Sequence, residues 1–465
     1  MTKQTHASSV NNAPPSRWIH RLSTVILFCM VLYAVVGLPN FHRDVTISAS
    51  TDAVSPFNRL LWLLLFALSL PLMKAKWQDI LDLLKSSGLL FSLFIFFTCS
   101  SLWALDFDIS LRRILFAWIQ IALVATLTCT ISCRVTLIYF VFYSALVAAW
   151  ADLIVWGIMP GYAMTSEGLA GIKLQKNQTG LIMMYGLLAG GALFFYPQSK
   201  KKRRLIIAGC LLLFFILLAS KSKTCLSIVI AVPAIMGLVF LLNRCRAATA
   251  FTVLFSGVAA FLCLCFSYLL WCTFNNANPA APFLDMTFTS RTDLWAFMLD
   301  EIQKRPWLGA GFCSFWSINP AIQPSLKTSM WFGSEAHINE AHNGYLDLLA
   351  TGGLVGFVWG LAVVGYAIFL AIQATAHTQA VTENKAIMSK PIAFFHLSFL
   401  SALLIHNFTE SNLFSNNALL AVALYFTFFD LCNWNRKRNV SEEKREFLRK
   451  QENLLRTRKY YTKVT

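Results

Sequence analysis

One polar interval, Ser290 to Gly353, holds the densest set of side chains that can transfer a proton or bind an anion, and it lies between long apolar segments. A histidine has an ordinary pKa of about 6.5, so it can accept or release a proton near neutral pH. An arginine holds anionic oxygens in pairs through its planar guanidinium group. The interval is therefore the candidate functional site. Its candidate groups are Arg291, His337, Glu340, His342, Asn343 and Asp347.

The composition is that of a membrane protein. Of the 465 residues, 57% are hydrophobic and only 13% are charged, whereas soluble domains average about 25% charged residues. The net charge of +17 is ascribed to orientation in the membrane rather than to nucleic acid binding, because Lys and Arg collect on the cytoplasmic side. The twelve cysteines include no CxxC pair, so neither a zinc site nor a disulfide framework is predicted.

Apolar runs near the length of a membrane-spanning helix recur along the chain. They predict an all-α fold, a polytopic integral membrane bundle of about twelve transmembrane helices, with a long helical periplasmic loop between the ninth and the tenth. The first run has no evident cleavage site and is interpreted as an uncleaved anchor. The predicted spans cover residues 18–38, 58–73, 87–104, 114–132, 136–158, 179–196, 205–219, 225–242, 247–274, 354–374, 391–407 and 417–433.

The basic residues predict the side on which each loop lies. With the N-terminus inside, the inner loops and both termini hold 27 of the 39 Lys and Arg residues, and the outer loops hold 12, in agreement with the positive-inside rule. The basic C-terminal tail is expected to contact anionic membrane lipids. The predicted regions are a cytoplasmic N-terminus (1–17), a transmembrane bundle (18–274), a periplasmic loop (275–353), a second part of the bundle (354–434) and the cytoplasmic tail (435–465).

Two short helices are predicted within the polar interval. Residues Ser290–Asp293 match a capping box, and apolar residues at helical spacing follow them until a proline ends the helix. The glycines after that proline, Gly309 and Gly311, are expected to loosen the chain. The second helix begins near His342–Asn343 and ends at Gly352–Gly353. Both helices are expected to lie against the outer leaflet rather than to cross the membrane.

The connector between these helices is about 35 residues long, and loops of this length are usually either functional or disordered. Among its aromatic residues are Trp316, Trp331 and Phe332. Such side chains stack on sugar rings or lie at the lipid interface, and the sequence favours the two alternatives about equally.

The interval contains three longer motifs, SRTDLW (290–295), RPWLGAGF (305–312) and AHNGYLDLLATGGLVG (341–356). Shorter motifs lie at other turns: the acidic-then-LRR stretch Asp106–Arg113, KNQTG (176–180), SKSKT (220–224) and ESN (410–412). In this order, the motifs resemble those of the O-antigen ligase and polysaccharide polymerase superfamily of bacterial inner membranes. Within that superfamily the chain is most similar to the exopolysaccharide polymerase branch.

The resemblance implies a glycosyltransferase at the periplasmic face of the inner membrane. Its donor would be a glycan carried on undecaprenyl diphosphate. An acceptor hydroxyl attacks the anomeric carbon of that glycan, and the lipid diphosphate leaves. The resemblance further implies inversion of the anomeric centre without a metal or another cofactor. Docking of other polysaccharide-assembly proteins is an alternative role for the basic tail.

His342 is the predicted general base for the acceptor hydroxyl, because it lies in the HN motif where the second outer helix begins. His337 is the competing candidate, and a histidine that caps the helix or lies at the interface is the non-catalytic alternative. Asn343 either caps the helix or holds a sugar hydroxyl. Glu340 and Asp347 are candidates for orienting the base, although solvated positions are expected for them.

The leaving diphosphate requires cations in a poorly hydrated place. Arg291 is the first candidate, since it lies in the first turn of a helix whose free N–H groups can also hold an anion. Lys223 is next, because a cation at an outer turn runs against the inside-positive bias, and Lys221 is its near equal. A snorkelling anchor is the alternative for each cation. Further candidates for diphosphate or glycan binding are Lys176, Arg112, Arg113, Asn343 and Glu410.

Polymerase and ligase differ only in the acceptor, which is a second lipid-linked glycan or a sugar of the lipid A core. Lys223, where many ligases of the superfamily have arginine, weakly favours the polymerase. A transporter of lipid-linked saccharide would have charged or broken helices near the middle of the bilayer, where Asp152 is the one clear charge. A non-catalytic scaffold would tolerate the loss of the His342 and Arg291 side chains.

Overall fold

The computed structural model describes residues 17–37, 56–131, 133–245, 266–275, 289–334, 338–377, 388–414 and 418–464, with isolated positions between 246 and 265. Within these ranges the chain is helical apart from its turns, a two-stranded hairpin and parts of the polar interval. The predicted all-α fold is confirmed.

Nine helices are described before residue 246. They are α1 (Arg17–Val36), α2 (Pro56–Ala75), α3 (Trp77–Ser86), α4 (Gly88–Ser100), α5 (Phe107–Thr130), α6 (Val135–Ile158), α7 (Lys176–Phe195), α8 (Lys200–Ser220) and α9 (Lys223–Leu242). Short helical turns occur at Ser101–Trp103 and Pro160–Ala163. Strands β1 (Met164–Thr165) and β2 (Gly168–Leu169) are antiparallel, with Met164 opposite Leu169.

Residues 266–274 are helical, and four more helices follow. They are α10 (Thr289–Lys304), α11 (Gly344–His377), α12 (Lys390–His406) and α13 (Ala418–Val464), with single turns at Pro324–Lys327 and Trp331–Ser334. Gly353 breaks α11 with φ 59° and ψ −165°, so an outer helix joins a membrane helix where the sequence predicted the outer helix to end. α13 runs on past residue 434, so the predicted boundary of the tail falls inside one helix.

Eight of the described helices, α1, α2, α5 to α9 and α11, are long and apolar enough to cross a membrane. The count becomes nine if α3 and the segment Gly88–Trp103, bent by 84°, form one span. α3 was not predicted, because Asp79, Asp82 and Lys85 interrupt the apolar run, although Ile80 and Leu83 are buried. Of the twelve predicted spans, the ninth (247–274) lies largely outside the described residues. The protein is a polytopic membrane bundle, and twelve spans remain a prediction.

The core of the bundle is built around α7, which packs against α6, α8, α9 and α12. α5 packs against α2 and α13. At one end of the bundle, Arg134 and Asp430 form a buried ion pair of 2.5 Å. His396 Nε2 lies 3.0 Å from the other oxygen of Asp430. The polar interval lies at the opposite end, because α5 runs about 36 Å from one end to the other at about 1.5 Å per residue.

The polar interval has a small hydrophobic core of its own, in which Leu294 and Met298 of α10 pack with Phe315. Trp316 and Phe332 belong to this core and are only 9% and 1% exposed. The expectation that these two side chains stack on sugars or lie at the lipid interface is therefore wrong. Trp331 is 45% exposed and still fits that expectation.

Backbone hydrogen bonds join the segment after α10 to the break in α11. N–H groups of residues 310–311 donate to the carbonyls of 350–351, and those of 354–355 donate to 306–307. Gly309 and Gly353 have left-handed φ values of 67° and 59°, and a Cβ on either would lie closer than 3.0 Å to the backbone of the other segment. Gly309 thus permits close packing, whereas the sequence had suggested loosening.

The turn between α4 and α5 holds the connector through the connector's own backbone. The Phe312 N–H donates to Ser100 Oγ at 2.9 Å, and the Phe312 carbonyl accepts from Ser110 Oγ at 3.0 Å. The Arg113 guanidinium donates to the carbonyls of residues 313, 316 and 317. Asp106 accepts from an N–H of the first turn of α5 and from the N–H of residue 319. The acidic-then-LRR motif therefore positions the loop.

Candidate active site

The segment His342–Asn343–Gly344 is shaped by three local constraints. His342 has a left-handed φ of 48°, which is uncommon for a residue with a side chain and concentrates at functional sites. Asn343 Oδ1 accepts from the N–H groups two and three residues later at 3.1 and 3.2 Å, so it caps α11. The Gly344 N–H donates to the Asn407 carbonyl at 2.9 Å, and a Cβ there would lie closer than 3.0 Å to the Asn407 side chain. This packing brings His342 to the turn after α12.

Glu410, in the turn after α12, joins the two ends of the polar interval. Its Oε2 lies 3.2 Å from His342 Nδ1. Its Oε1 accepts a hydrogen bond of 2.9 Å from the Asn177 side chain and lies 3.6 Å from the Arg291 guanidinium. The Glu410 side chain is only 13% exposed. One carboxylate thus gathers three side chains that are far apart in the sequence.

Glu340 is a second carboxylate on the same nitrogen of His342, with Oε1 at 3.0 Å from Nδ1. Burial lowers the pKa of His342, but the hydrogen bonds and charges of Glu340 and Glu410 outweigh burial and raise the pKa to about 9. Burial raises the pKa of Glu340. Burial also acts to raise the pKa of Glu410, but the hydrogen bond from His342 and the charges of His342 and Arg291 hold it below its ordinary value. At neutral pH the site therefore pairs an imidazolium with an ionised Glu410.

Arg291 lies in the first turn of α10, in agreement with the sequence, although the helix begins at Thr289 and includes Ser290. Its guanidinium donates to the Thr409 carbonyl at 2.7 Å. The 3.6 Å contact with Glu410 is longer than a charge-assisted hydrogen bond of about 2.8 Å. The ion pair is loose, so an anionic oxygen can compete for this side of the guanidinium.

The turn between α8 and α9 is attached to the site by two hydroxyl groups. Ser222 Oγ lies 3.4 Å from Asn177 Oδ1, and the hydroxyls of Thr224 and Thr409 lie 3.2 Å apart. Asn177, Ser222 and Thr224 were not among the site residues predicted from the sequence. They could have been predicted from their positions in the polar motifs KNQTG and SKSKT, beside the predicted lysines.

Two predicted lysines lie on this turn. Lys221 follows α8 with a left-handed φ of 56°, and Lys223 begins α9. Both side chains are exposed, and neither makes a hydrogen bond or ion pair within the described part of the chain. Lys176 differs, since its ammonium lies 2.8 Å from a carboxylate oxygen of Glu167. The fold brings Lys221 and Lys223 to the turn that contacts the site and does not distinguish between them.

The other predicted residues are placed differently. Arg113 is occupied by three carbonyl groups, which does not fit the expectation of a diphosphate ligand. Arg112 is exposed and has no contact with His342 or Glu410 among the described residues. Asp347 accepts from Trp316 Nε1 at 2.6 Å and from the Ala341 N–H at 2.9 Å, so it fixes the residue before His342. His337 lies outside the described residues.

Residues 208–361 match the family model described as O-antigen ligase. This matched segment, about a third of the chain, is similar to the O-antigen ligase family. No curated protein matches it. The matched region includes Lys221, Lys223, Arg291 and His342, whereas Glu410 lies outside it and contacts Arg291 and His342 through the fold. The protein thus has a function of the ligase or polymerase type, in a family of glycosyltransferase-like enzymes, and is a multi-pass membrane protein.

Glu340, His342 and Glu410 have ligand atoms that all lie within 4.8 Å of one another, close enough to hold a metal ion. A metal would have to displace the proton on His342 Nδ1, which lies between two carboxylates. It would also lie beside the cationic Arg291, 3.6 Å from the same Glu410 side chain. The geometry therefore favours a hydrogen-bonded ion cluster over a metal centre.

Proposed function

We propose that this protein is an inner-membrane glycosyltransferase that uses a glycan on undecaprenyl diphosphate as donor and polymerises exopolysaccharide or O-antigen repeat units. The observation that carries the proposal is the meeting of His342 and Arg291 on Glu410. A group that can accept a proton and a cation suited to diphosphate are thereby held in one cluster. The exposed Lys221 and Lys223 lie on an adjoining turn.

In the proposed reaction the acceptor hydroxyl attacks the anomeric carbon of the donor. The bond between that carbon and the diphosphate oxygen breaks, and its electron pair stays on the diphosphate. His342 takes the hydroxyl proton on Nε2, while Glu410 and Glu340 hold Nδ1 and stabilise the imidazolium that forms. Arg291, with Lys221 or Lys223, binds the diphosphate as its charge increases. A single displacement of this kind inverts the anomeric centre and needs no metal.

The proposed site faces the periplasm, and both termini lie in the cytoplasm. Supporting this orientation, the loops at the end of the bundle that carries the site hold 12 of the 39 Lys and Arg residues in the twelve-span arrangement, and the other side holds 27. The donor and acceptor glycans are the proposed partners, together with membrane lipids. The basic residues after 434 would contact anionic lipid headgroups.

Transfer to the lipid A core is the second candidate function, and the description of the matched family as O-antigen ligase favours it. Deleting the protein from its bacterium separates the two candidates. Loss of a polymerase leaves single repeat units, whereas loss of a ligase leaves long chains on the lipid carrier.

Replacing the two proposed catalytic side chains tests the enzymatic assignment. His342→Ala and Arg291→Ala are expected to abolish product formation while the protein remains in the membrane. His20→Ala and Arg204→Ala are matched controls, since both residues are exposed and lie away from the Glu410 cluster. Glycan formation should be measured together with the amount of protein in the membrane. Normal product from both site variants would disprove the assignment.

A further inference from the structure

A cavity of about 570 Å³ opens between the second half of α10 and the connector. Small-molecule sites commonly have volumes of about 300–1,000 Å³. Phe297 and Glu301 line it from α10, Arg305 lines it just after that helix, and Phe315, Lys327 and Thr328 line it from the connector. None of these residues was selected from the sequence or belongs to the Glu410 cluster.

The lining combines groups that suit a charged sugar. Phe297 is half-buried and offers aromatic surface, and its ring packs against the buried Phe315 ring at a centroid distance of 6.4 Å. The Glu301 carboxylate is only 16% exposed and lies 2.5 Å from the Lys304 ammonium, so it can accept hydrogen bonds from hydroxyl groups while its charge stays compensated. Carboxylates of this kind fit neutral hydroxyls, and aromatic rings fit the apolar faces of sugar rings.

The basic residues of the cavity outnumber its carboxylate. Lys304, Arg305 and Lys327 line it together with Glu301. Arg305 donates one hydrogen bond to the Trp103 carbonyl at 3.2 Å. Lys327 is exposed and makes no hydrogen bond or ion pair within the described part of the chain. The cavity thus retains positive charge for an anionic substituent.

The cavity lies at a fixed distance from the Glu410 cluster, because both are attached to α10. Residues 297–305 follow Arg291 by 6 to 14 positions, which corresponds to roughly 10–20 Å along a helix at about 1.5 Å per residue. Ala350 of α11 also lines the cavity, and the same helix begins two residues after His342. A chain of several sugars can therefore occupy the cavity while its end lies at His342.

We propose that this cavity binds an acidic oligosaccharide, namely the acceptor glycan at sugars some distance from the reacting hydroxyl. This inference rests on the proposed glycosyltransferase function, which supplies the acceptor. Glu301 accepts hydrogen bonds from sugar hydroxyls and Phe297 contacts a ring face, and Lys327 with Arg305 holds the carboxylate of a uronic acid or a similar anionic group.

Binding of defined oligosaccharides to the full-length protein in detergent micelles tests the proposal without turnover. The probes are tetragalacturonate and the neutral maltotetraose, measured by calorimetry at low and high salt. We expect tetragalacturonate to bind at least about tenfold more tightly, a difference of about 1.4 kcal/mol, and its binding to weaken with salt. Lys327→Glu and Glu301→Gln should each weaken it, whereas Lys200→Glu, an exposed lysine at the opposite end of the bundle, should not.

In a transfer assay, Lys327→Glu should raise the KM for the acceptor and leave the KM for the donor unchanged. Equal affinity for the two probes, or unchanged binding in Lys327→Glu, would overturn the inference. Product formation by His342→Ala would disprove the proposed glycosyltransferase function, but it would not test the saccharide site. Loss of tetragalacturonate binding in Lys327→Glu would then still support the saccharide site.

Discussion

The imidazole of His342 contacts two carboxylates through one nitrogen, and this sets both its charge and its direction. Nδ1 lies 3.0 Å from Glu340 and 3.2 Å from Glu410, so the proton accepted from a substrate must go to Nε2. A pKa of about 9 makes His342 a stronger base once it is neutral. At pH 7.5 only about 3% of it is neutral, by the ordinary titration relation.

The pH profile of transfer should therefore differ from that of an ordinary histidine. We expect kcat/KM to rise about tenfold per pH unit from pH 7 and to level off above a pKa of about 9. Initial rates with a lipid-linked donor between pH 6 and 10 check this. A rate that levels off near pH 6.5 would contradict the geometry.

The dependence of protein stability on pH gives a second measurement of the His342 pKa. The pKa of His342 is higher in the folded protein than its ordinary value, so its contribution to stability is fully present below pH 6.5 and is lost as the pH rises to about 9. The wild-type protein should lose thermal stability across this window relative to His342→Gln.

The two carboxylates are predicted to contribute unequally. Glu410→Gln removes the charge shared by His342 and Arg291, so transfer should fall by roughly 10²–10⁴, as when an orienting carboxylate is removed from a catalytic histidine. Glu340→Gln leaves Arg291 and Glu410 paired, and a smaller loss is expected. Steady-state rates and pH profiles of both variants check this, and both should lower the apparent pKa. Equal losses would contradict the central role of Glu410.

The sequence predicted Arg291, His342 and Glu410 because each lies in a motif. It could not predict Asn177 as a partner of Glu410, since 233 positions separate these residues and only the fold brings them together. Arg113 was misassigned for a related reason. Its charge suggested an anion, but the carbonyl groups of the connector use its hydrogen-bond donors.

At the level of elements, the position of His342 depends on how closely the start of α11 approaches the end of α12. Gly344 donates to the Asn407 carbonyl, and the Asn407 side chain in turn accepts from the N–H groups of residues 412 and 413 at 2.8 and 3.0 Å. The turn that carries Glu410 is thereby held against the segment His342–Asn343–Gly344.

Two alanine substitutions in one helix test this contact. Gly344→Ala puts a Cβ closer than 3.0 Å to Asn407, and should separate His342 from Glu410 and reduce transfer at least about tenfold, since a misplacement of about 1 Å can cost 10²-fold. Gly365→Ala is the control, because its Cβ would have nothing within 4 Å. Its activity should be unchanged, with stability unchanged or up to about 1 kcal/mol higher. Equal activity of the two variants would disprove the contact's importance.

Hydropathy predicted most helices because long apolar runs determine where a chain can cross a bilayer. Hydropathy missed α3, because this amphipathic helix has charged residues that lower its mean hydropathy. It also missed the 84° bend between α3 and the segment Gly88–Trp103. The outer helix that ends the polar interval and the membrane helix that follows it were predicted as separate helices, although they join at Gly353 within α11. Such junctions are determined by packing between distant segments, which hydropathy does not register.

At the level of the whole molecule, two polar clusters lie at opposite ends of the bundle and differ in exposure. The side chains of Arg134, His396 and Asp430 are 9%, 2% and 4% exposed, whereas those of His342 and Arg291 are 28% and 26% exposed. The first cluster is buried between the start of α6, α12 and α13. The second is open to a substrate.

The buried cluster is therefore predicted to affect stability rather than chemistry. Asp430→Asn leaves Arg134 with an uncompensated buried charge and should lower the free energy of unfolding by about 3–5 kcal/mol. The double variant Arg134→Met with Asp430→Leu should recover most of that loss. Thermal unfolding in detergent measures both, and the specific activity of the folded fraction should stay near wild type. A double variant no more stable than Asp430→Asn would contradict this assignment.

The connector is held partly by its buried aromatic side chains and partly through its backbone. Ser100, Ser110 and Arg113 bind its N–H and carbonyl groups, and the hydrogen bonds at Gly353 join backbone to backbone. The same connector supplies Phe315, Lys327 and Thr328 to the cavity. Exposed connector side chains such as Lys327 can therefore change, and with them the sugars recognised, while the backbone contacts and the buried aromatic residues keep the loop attached. For protein engineering, the connector is the segment in which to diversify glycan specificity without rebuilding the bundle.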